Sequence, residues 1–96
     1  MKTVLIDYTK FHKKDEFHPY FRDKLGVVGY FGNNLDALWD AMSHIKDDFR
    51  ICVYNWEEAD EGSGEEYARS VIKTLRELSE YNSHIRLDFV SIYRIY

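Results

Sequence analysis

Residues 30–40 of this chain read Tyr30-Phe31-Gly32-Asn33-Asn34-Leu35-Asp36-Ala37-Leu38-Trp39-Asp40. This stretch joins a glycine turn to a helix. Asn33 is well placed as the helix N-cap, because its side-chain oxygen can accept from the free backbone N–H groups of the first turn. Asp36 follows in that turn, where the positive end of a helix favours a carboxylate. The start of the helix is therefore encoded locally.

The same helix has two unlike faces. At 100° per residue, Leu35, Leu38 and Met42 point one way and predict a packed side. Asp36 and Asp40 lie one turn apart on a flank, and Trp39 lies on the border between the two. One face is thus predicted to pack, while the other presents carboxylates beside an indole.

Length and charge limit the kind of protein this can be. The 96 residues, 45% of them hydrophobic, suit a single domain over residues 1–96 with one core. A net charge of −4 opposes direct binding to nucleic acid and attracts a cationic partner. We expect a monomer when no partner is bound.

The sequence also predicts a cytoplasmic protein that does not engage a membrane. Three apolar residues before Asp7 are too few for a signal peptide, and no apolar run reaches membrane-spanning length. Cys52 is the only cysteine and lies in an apolar run, which favours a buried thiol in a reducing compartment.

Hydrophobic periodicity predicts three strands and three helices. The predicted helix over 15–25 is capped by Asp15, has Pro19 in about its first turn and stops at Gly26. The helix that reaches Tyr81 begins with a capping box of Ser63 and Glu66. The predicted strands cover residues 2–8, 49–56 and 84–92, and the other predicted helices cover residues 33–43 and 63–81.

The order of these elements predicts an α/β fold. The helical crossovers between parallel strands are right-handed in nearly all proteins. A sequential strand order therefore places the helices of both crossovers on one face of the sheet. Arg86 and Asp88 alternate with apolar residues in the last strand, which predicts that the other face meets water. The expected architecture is a two-layer domain with a three-stranded parallel sheet.

No segment carries a strong catalytic or metal-binding motif. The four histidines lack helical i, i+3 or i+4 spacing, so no metal or cofactor is predicted. The sequence contains no nucleophile elbow. Asp36 and Asp40 could in principle act as a general acid and a general base, so a small hydrolase is the less favoured alternative. Residues 57–66 hold six acids and no base, which is typical of a solvated loop that can also attract a cationic partner.

The remaining candidate is a protein-binding surface. Exposed aromatic rings beside carboxylates suit a basic, concave partner, because the rings bury area at low entropic cost while the acids pair with Arg or Lys. On pattern alone the predicted surface consists of Tyr30, Asn34, Asp36, Trp39 and Asp40. A structural role for Trp39, with both acids merely solvated, is the competing interpretation.

Residues 30–40 closely resemble the hallmark of the barstar family of ribonuclease inhibitors, an aromatic pair, glycine and asparagine followed by Leu-Asp-Ala-Leu-Trp-Asp. The element order also fits along nearly the whole chain. Trp56 closes the second predicted strand, and the pair Arg76-Glu77 lies late in the long helix, as in the family.

This resemblance implies a barstar-like fold, a non-enzymatic function and a basic, secreted ribonuclease as the partner. It implies that Asp40 occupies the nuclease's phosphate site, so that a carboxylate mimics RNA phosphate. The other partner-binding residues that it implies are Tyr30, Asn34, Asp36, Trp39 and Glu77. An immunity or regulatory protein that binds another basic toxin or partner through the same face is the alternative.

Overall fold

In the computed structural model, residues 2–27, 29–30, 32–56 and 65–90 are described. A 3-10 turn at Tyr8–Lys10 follows the first strand. The strands and helices, in chain order, are β1 (Lys2–Asp7), α1 (Lys14–Leu25), α2 (Leu35–Ser43), β2 (Phe49–Tyr54), α3 (Glu65–Tyr81) and β3 (Ile85–Phe89).

The three strands form one parallel sheet in sequential order, β1-β2-β3. In the register, Val4 of β1 pairs with Ile51 of β2, and Ile51 pairs with Leu87 of β3. The predicted α/β fold with a three-stranded parallel sheet is therefore confirmed.

The two faces of the sheet differ in burial as the alternation predicts. Val4, Ile6 and Val53 are buried in one cluster with the inner faces of the three helices. On the other face Leu5 is 51% exposed, and Arg50 Nε donates to Asp88 Oδ2 at 2.7 Å. The sheet thus has one covered face and one face that carries charge.

The start of the first helix differs from the prediction. α1 begins at Lys14, and its N-cap Lys13 makes no side-chain cap, so Asp15 lies inside the first turn instead of capping it. Pro19 is consequently the sixth helical residue and not part of the first turn. Gly26 ends the helix with φ of 61°, the left-handed conformation that favours glycine there.

The ends of the other predicted elements also shift. β2 stops at Tyr54, two residues before the predicted end, because Asn55 takes a positive φ of 61° that a strand cannot continue. β3 begins one residue later than predicted and ends at Phe89. The predicted cap Ser63, most of the acidic segment 57–66, and positions 91 and 92 of the predicted third strand lie outside the described residues. No helix in the described part of the chain combines the length and apolarity needed to cross a membrane.

Candidate protein-binding site

Helix α2 is started by an asparagine side chain, one residue later than predicted. Asn34 is the N-cap, and its Oδ1 accepts from the Ala37 backbone N–H at 2.7 Å. The prediction of Asn33 as the cap is wrong, because the Asn33 Oδ1 instead accepts from Arg22 Nη2 at 2.6 Å. Asp36 still lies in the first turn, where the helix N-terminus favours it.

The cap makes a testable contribution to stability. Replacing Asn34 with alanine should lower the free energy of unfolding by about 1 kcal/mol, because it removes the acceptor for a first-turn N–H. Asn34→Asp keeps an acceptor and adds a charge that the helix start favours, so it should retain wild-type stability. Urea denaturation of the wild type and both variants checks this. Equal free energies of unfolding for all three proteins would show that the Asn34 side chain does not stabilise the helix.

Arg22 of α1 holds the loop before α2 through hydrogen bonds to its backbone. Arg22 Nε donates to the Tyr30 carbonyl oxygen at 2.9 Å, and Nη2 donates to the Gly32 carbonyl oxygen at 3.0 Å. Its guanidinium carbon also lies 4.9 Å from the centre of the Tyr30 ring. The fixed fork of one guanidinium therefore determines the path of the chain into α2.

A buried histidine fixes the same loop from a second direction. His18 is 0% exposed, its Nδ1 bonds the Tyr30 hydroxyl, and its Nε2 bonds the Tyr67 hydroxyl at 2.5 Å. Burial, aided by Lys14 and Arg22, lowers the pKa of His18 to about 4. Neutral imidazole has one donor and one acceptor nitrogen, so one hydroxyl donates to the ring and the other accepts from it. α1, the loop and α3 are thereby joined through one ring.

Tyr30 is therefore not an exposed aromatic, and the prediction that its ring forms part of the surface is wrong. The residue is only 2% exposed. Burial raises the pKa of its hydroxyl, which stays protonated and hydrogen-bonded to His18. In this structure Tyr30 supports the loop that leads into α2.

Helix α2 presents its carboxylates to solvent as predicted. Asp36 and Asp40 are both exposed, Trp39 between them is half-buried and packs against the core, and Leu38 is fully buried. Within the described residues neither carboxylate forms an ion pair or a side-chain hydrogen bond. The two acids are thus free to pair with a partner.

Helix α3 extends this surface. Asn82 follows α3, and its Nδ2 donates to the Met42 and Ile45 carbonyl oxygens at 3.2 and 2.9 Å, which ties together the C-terminal ends of α2 and α3. Tyr81 lies against Trp39 with ring centres 5.3 Å apart. Glu77 is exposed one helical turn before Tyr81. We call the surface formed by Asp36, Trp39, Asp40, Glu77 and Tyr81 the acidic face.

The acidic face is not explained by the needs of folding. Asp40 lies in the last turn of α2, where the negative end of a helix disfavours a carboxylate. Neither α2 nor α3 has a basic residue in its last turn, and at the end of α2 the C-cap His44 bonds the Asp40 carbonyl oxygen, at 3.0 Å, but not the Asp40 carboxylate. Glu77 likewise forms no ion pair with any described residue. The unpaired carboxylates of the acidic face suit a cationic ligand, although Lys73 and Arg76 line a groove together with Glu77 and add positive charge on that side of α3.

The acidic face lacks the form of a catalytic site. Of two open grooves lined by described residues, of about 960 and 380 Å³, neither is lined by Asp36 or Asp40, and the smaller one is lined by Glu77 beside Lys73 and Arg76. The two acids project from a convex helix, whereas active sites are mostly concave. Among the described residues, no group of three or more His, Cys, Asp and Glu side chains is placed to hold a metal ion.

Sequence reasoning missed Tyr81 and Asn82. The usable signal for Tyr81 was its position four residues after Glu77, which puts both on one side of α3. Nothing local indicated that α2 would lie beside them, because that arrangement depends on Asn82 and residues about 40 positions earlier in the chain.

A small α/β domain with an acidic helical face is the class of protein that this geometry defines. The chain matches the sequence profile of Barstar (barnase inhibitor) over residues 1–94 and belongs to that family. A curated relative in Bacillus subtilis (strain 168), named "Putative ribonuclease inhibitor YrdF", is 32% identical over 81 residues. The matched region covers 83% of this chain and 88% of that relative.

Proposed function

We propose that this protein inhibits a basic ribonuclease by binding over its active site with the acidic face. Membership of the barstar family and the similarity to a relative named as a ribonuclease inhibitor support this proposal. The observation that carries it is the exposure of Asp36, Asp40 and Glu77 around a half-buried indole, with none of the three paired to a described residue.

The chemistry of the partner follows from what a ribonuclease must hold. A site that binds RNA phosphate is lined by cationic donors, and a carboxylate offers them two acceptor oxygens in a similar arrangement. We assign this phosphate-mimicking role to Asp40, which is flanked by Trp39 and lies one turn from Asp36. Asn34 and Glu77 contact the partner at either side, and Tyr30 acts indirectly by holding the loop.

In this role the protein is an inhibitor and not an enzyme, and it needs no cofactor, nucleic acid or membrane. It acts in the cytoplasm as a monomer, where it protects the cell's own RNA until the nuclease is exported. A lone, buried Cys52 suits that reducing compartment.

Titration of barnase with the purified protein tests the proposal. RNA cleavage, followed with a fluorogenic oligonucleotide, should fall linearly and reach background at a one-to-one ratio. A matched titration of a non-homologous nuclease that cleaves by a metal-dependent mechanism controls for RNA binding by the inhibitor. Undiminished cleavage of RNA by barnase at a large excess of the protein would contradict the proposal for this enzyme.

Association with the nuclease should depend strongly on salt. The acidic face and a cationic active site attract each other at a distance, which raises association rates roughly 10- to 1,000-fold over uncharged surfaces. Stopped-flow measurements from about 0.01 to 0.5 M ionic strength should therefore give a steep fall in association rate, because the screening length shortens over this range. A rate that does not change with salt would remove charge steering from the mechanism.

A further inference from the structure

Tyr81 is an aromatic residue that the fold leaves in solvent. Its side chain is 68% exposed, more than the exposed large hydrophobics Leu5 and Trp56 elsewhere in the described chain. It is the last residue of α3, whose inner face is already filled by Val71, Leu75 and Leu78. A ring with this exposure adds little to the core and leaves apolar area and a hydroxyl available to a partner.

Tyr81 is also held in place by another ring. It leans on Trp39 with ring centres 5.3 Å apart and an interplanar angle of 47°. Trp39 in turn packs against the hydrophobic core from α2. Because the tyrosine rests on an anchored indole, a partner that binds it has less side-chain freedom to remove. The rings of Trp39 and Tyr81 thus form a preformed aromatic platform on the acidic face.

The charges around this aromatic platform determine which kind of partner side chain can bind there. Glu77 lies one turn before Tyr81, Asp40 adjoins Trp39, and no basic residue lies in the last turn of either helix. Of the basic residues near Glu77, Lys73 lies one turn further from Tyr81, and the Arg76 guanidinium lies over the Phe89 ring. An apolar group seated on the platform would take water from the carboxylates without replacing their hydrogen bonds, which is unfavourable. A guanidinium stacks flat on an aromatic ring and donates two parallel hydrogen bonds to a carboxylate, whereas an ammonium ion offers only a compact charge.

We propose that Tyr81, together with Trp39, is a platform that receives an arginine side chain of the partner and helps to set its specificity. This inference rests on the proposed function for the identity of the partner. The contact surface then extends along α3 from Glu77 to Tyr81. The platform favours partners that carry arginine, and not lysine, at the edge of their phosphate site.

Dissociation of the barnase complex tests this role in the full chain. Tyr81→Ala should raise the dissociation rate about tenfold, in line with the strength of a desolvated cation–π contact. Tyr81→Phe keeps the ring and should dissociate like the wild type. Leu5→Ala, which removes an exposed side chain from the uncovered sheet face, is the matched control and should have no effect. A dissociation rate for Tyr81→Ala equal to that of the wild type would overturn the proposal.

A second arm does not depend on the nuclease. Chemical shifts of the Trp39 indole N–H are followed while the free protein is titrated with an acetylated, amidated tri-arginine peptide and then with tri-lysine. The wild type should bind tri-arginine more tightly, and Tyr81→Ala should lose that preference. Equal binding of both peptides by the wild type would overturn the platform even if barnase is inhibited. Failure to inhibit barnase, with the arginine preference intact, would instead overturn only the proposed function.

Discussion

Replacing Asp40 with alanine is expected to abolish tight inhibition of barnase while the protein remains folded. Truncating one partner of a buried, hydrogen-bonded charge pair costs about 2 to 5 kcal/mol or more, a range drawn in part from barnase and barstar themselves. The corresponding loss of affinity is roughly 30-fold to 5,000-fold. The loss should appear mainly in the dissociation rate, because removing the acid leaves the partner's cations buried and unpaired.

Folding should be unaffected by this change. Asp40 is exposed, pairs with no described residue and lies at the helix end that disfavours negative charge, so its removal should alter the free energy of unfolding by no more than about 0.5 kcal/mol. Asp23→Ala, at an exposed position on α1, changes the net charge equally and serves as the control. Equal inhibition by Asp40→Ala and Asp23→Ala would show that net charge alone attracts the nuclease and that Asp40 has no special role.

Acidification should destabilise the protein through His18. The pKa of this buried imidazole is about 4 in the folded chain, against about 6.5 in the unfolded chain. The unfolded chain therefore takes up a proton first, and stability that is fully present above pH 6.5 is lost as the pH falls towards 4. At 1.36 kcal/mol for each pH unit, the loss is on the order of 3 kcal/mol.

Urea denaturation of the wild type and His18→Gln between pH 7 and 4 checks this. Glutamine keeps a donor and an acceptor but does not titrate, so the variant should lose less stability over this range. Carboxylates contribute equally to both proteins, and the difference between the two curves isolates His18. Identical curves would contradict the assignment of a buried neutral imidazole, as would protonation of the folded-state ring near pH 6.5 in an NMR titration.

The sheet and its helices could be predicted because their signals are periodic and local. Val4 and Ile6 alternate with exposed residues in β1, and Leu38 and Met42 repeat at helical spacing in α2. Parallel pairing and sequential order then follow from the alternation of strands and helices.

The errors concern residues whose positions depend on distant contacts. Asn33 and Asn34 are both suitable caps, and the choice is made by Arg22, which bonds the first and leaves the second free. Tyr30 lies in an aperiodic loop, so only its bond to His18, twelve residues earlier, reveals that it is buried. Tyr81 joins the acidic face because Asn82 fastens α3 to α2. Such contacts between elements leave no repeating pattern in the sequence.

The most direct test of phosphate mimicry is a competition experiment on the nuclease. Barnase is loaded with a fluorescent, non-cleavable RNA dinucleotide whose phosphate occupies the active site, and the purified protein is then added. Mutual exclusion is expected, so the protein should release the dinucleotide stoichiometrically, whereas Asp40→Ala should need at least about 30-fold more protein. A ternary complex, in which the dinucleotide stays bound while the protein is also bound, would contradict the claim that the acidic face occupies the phosphate site.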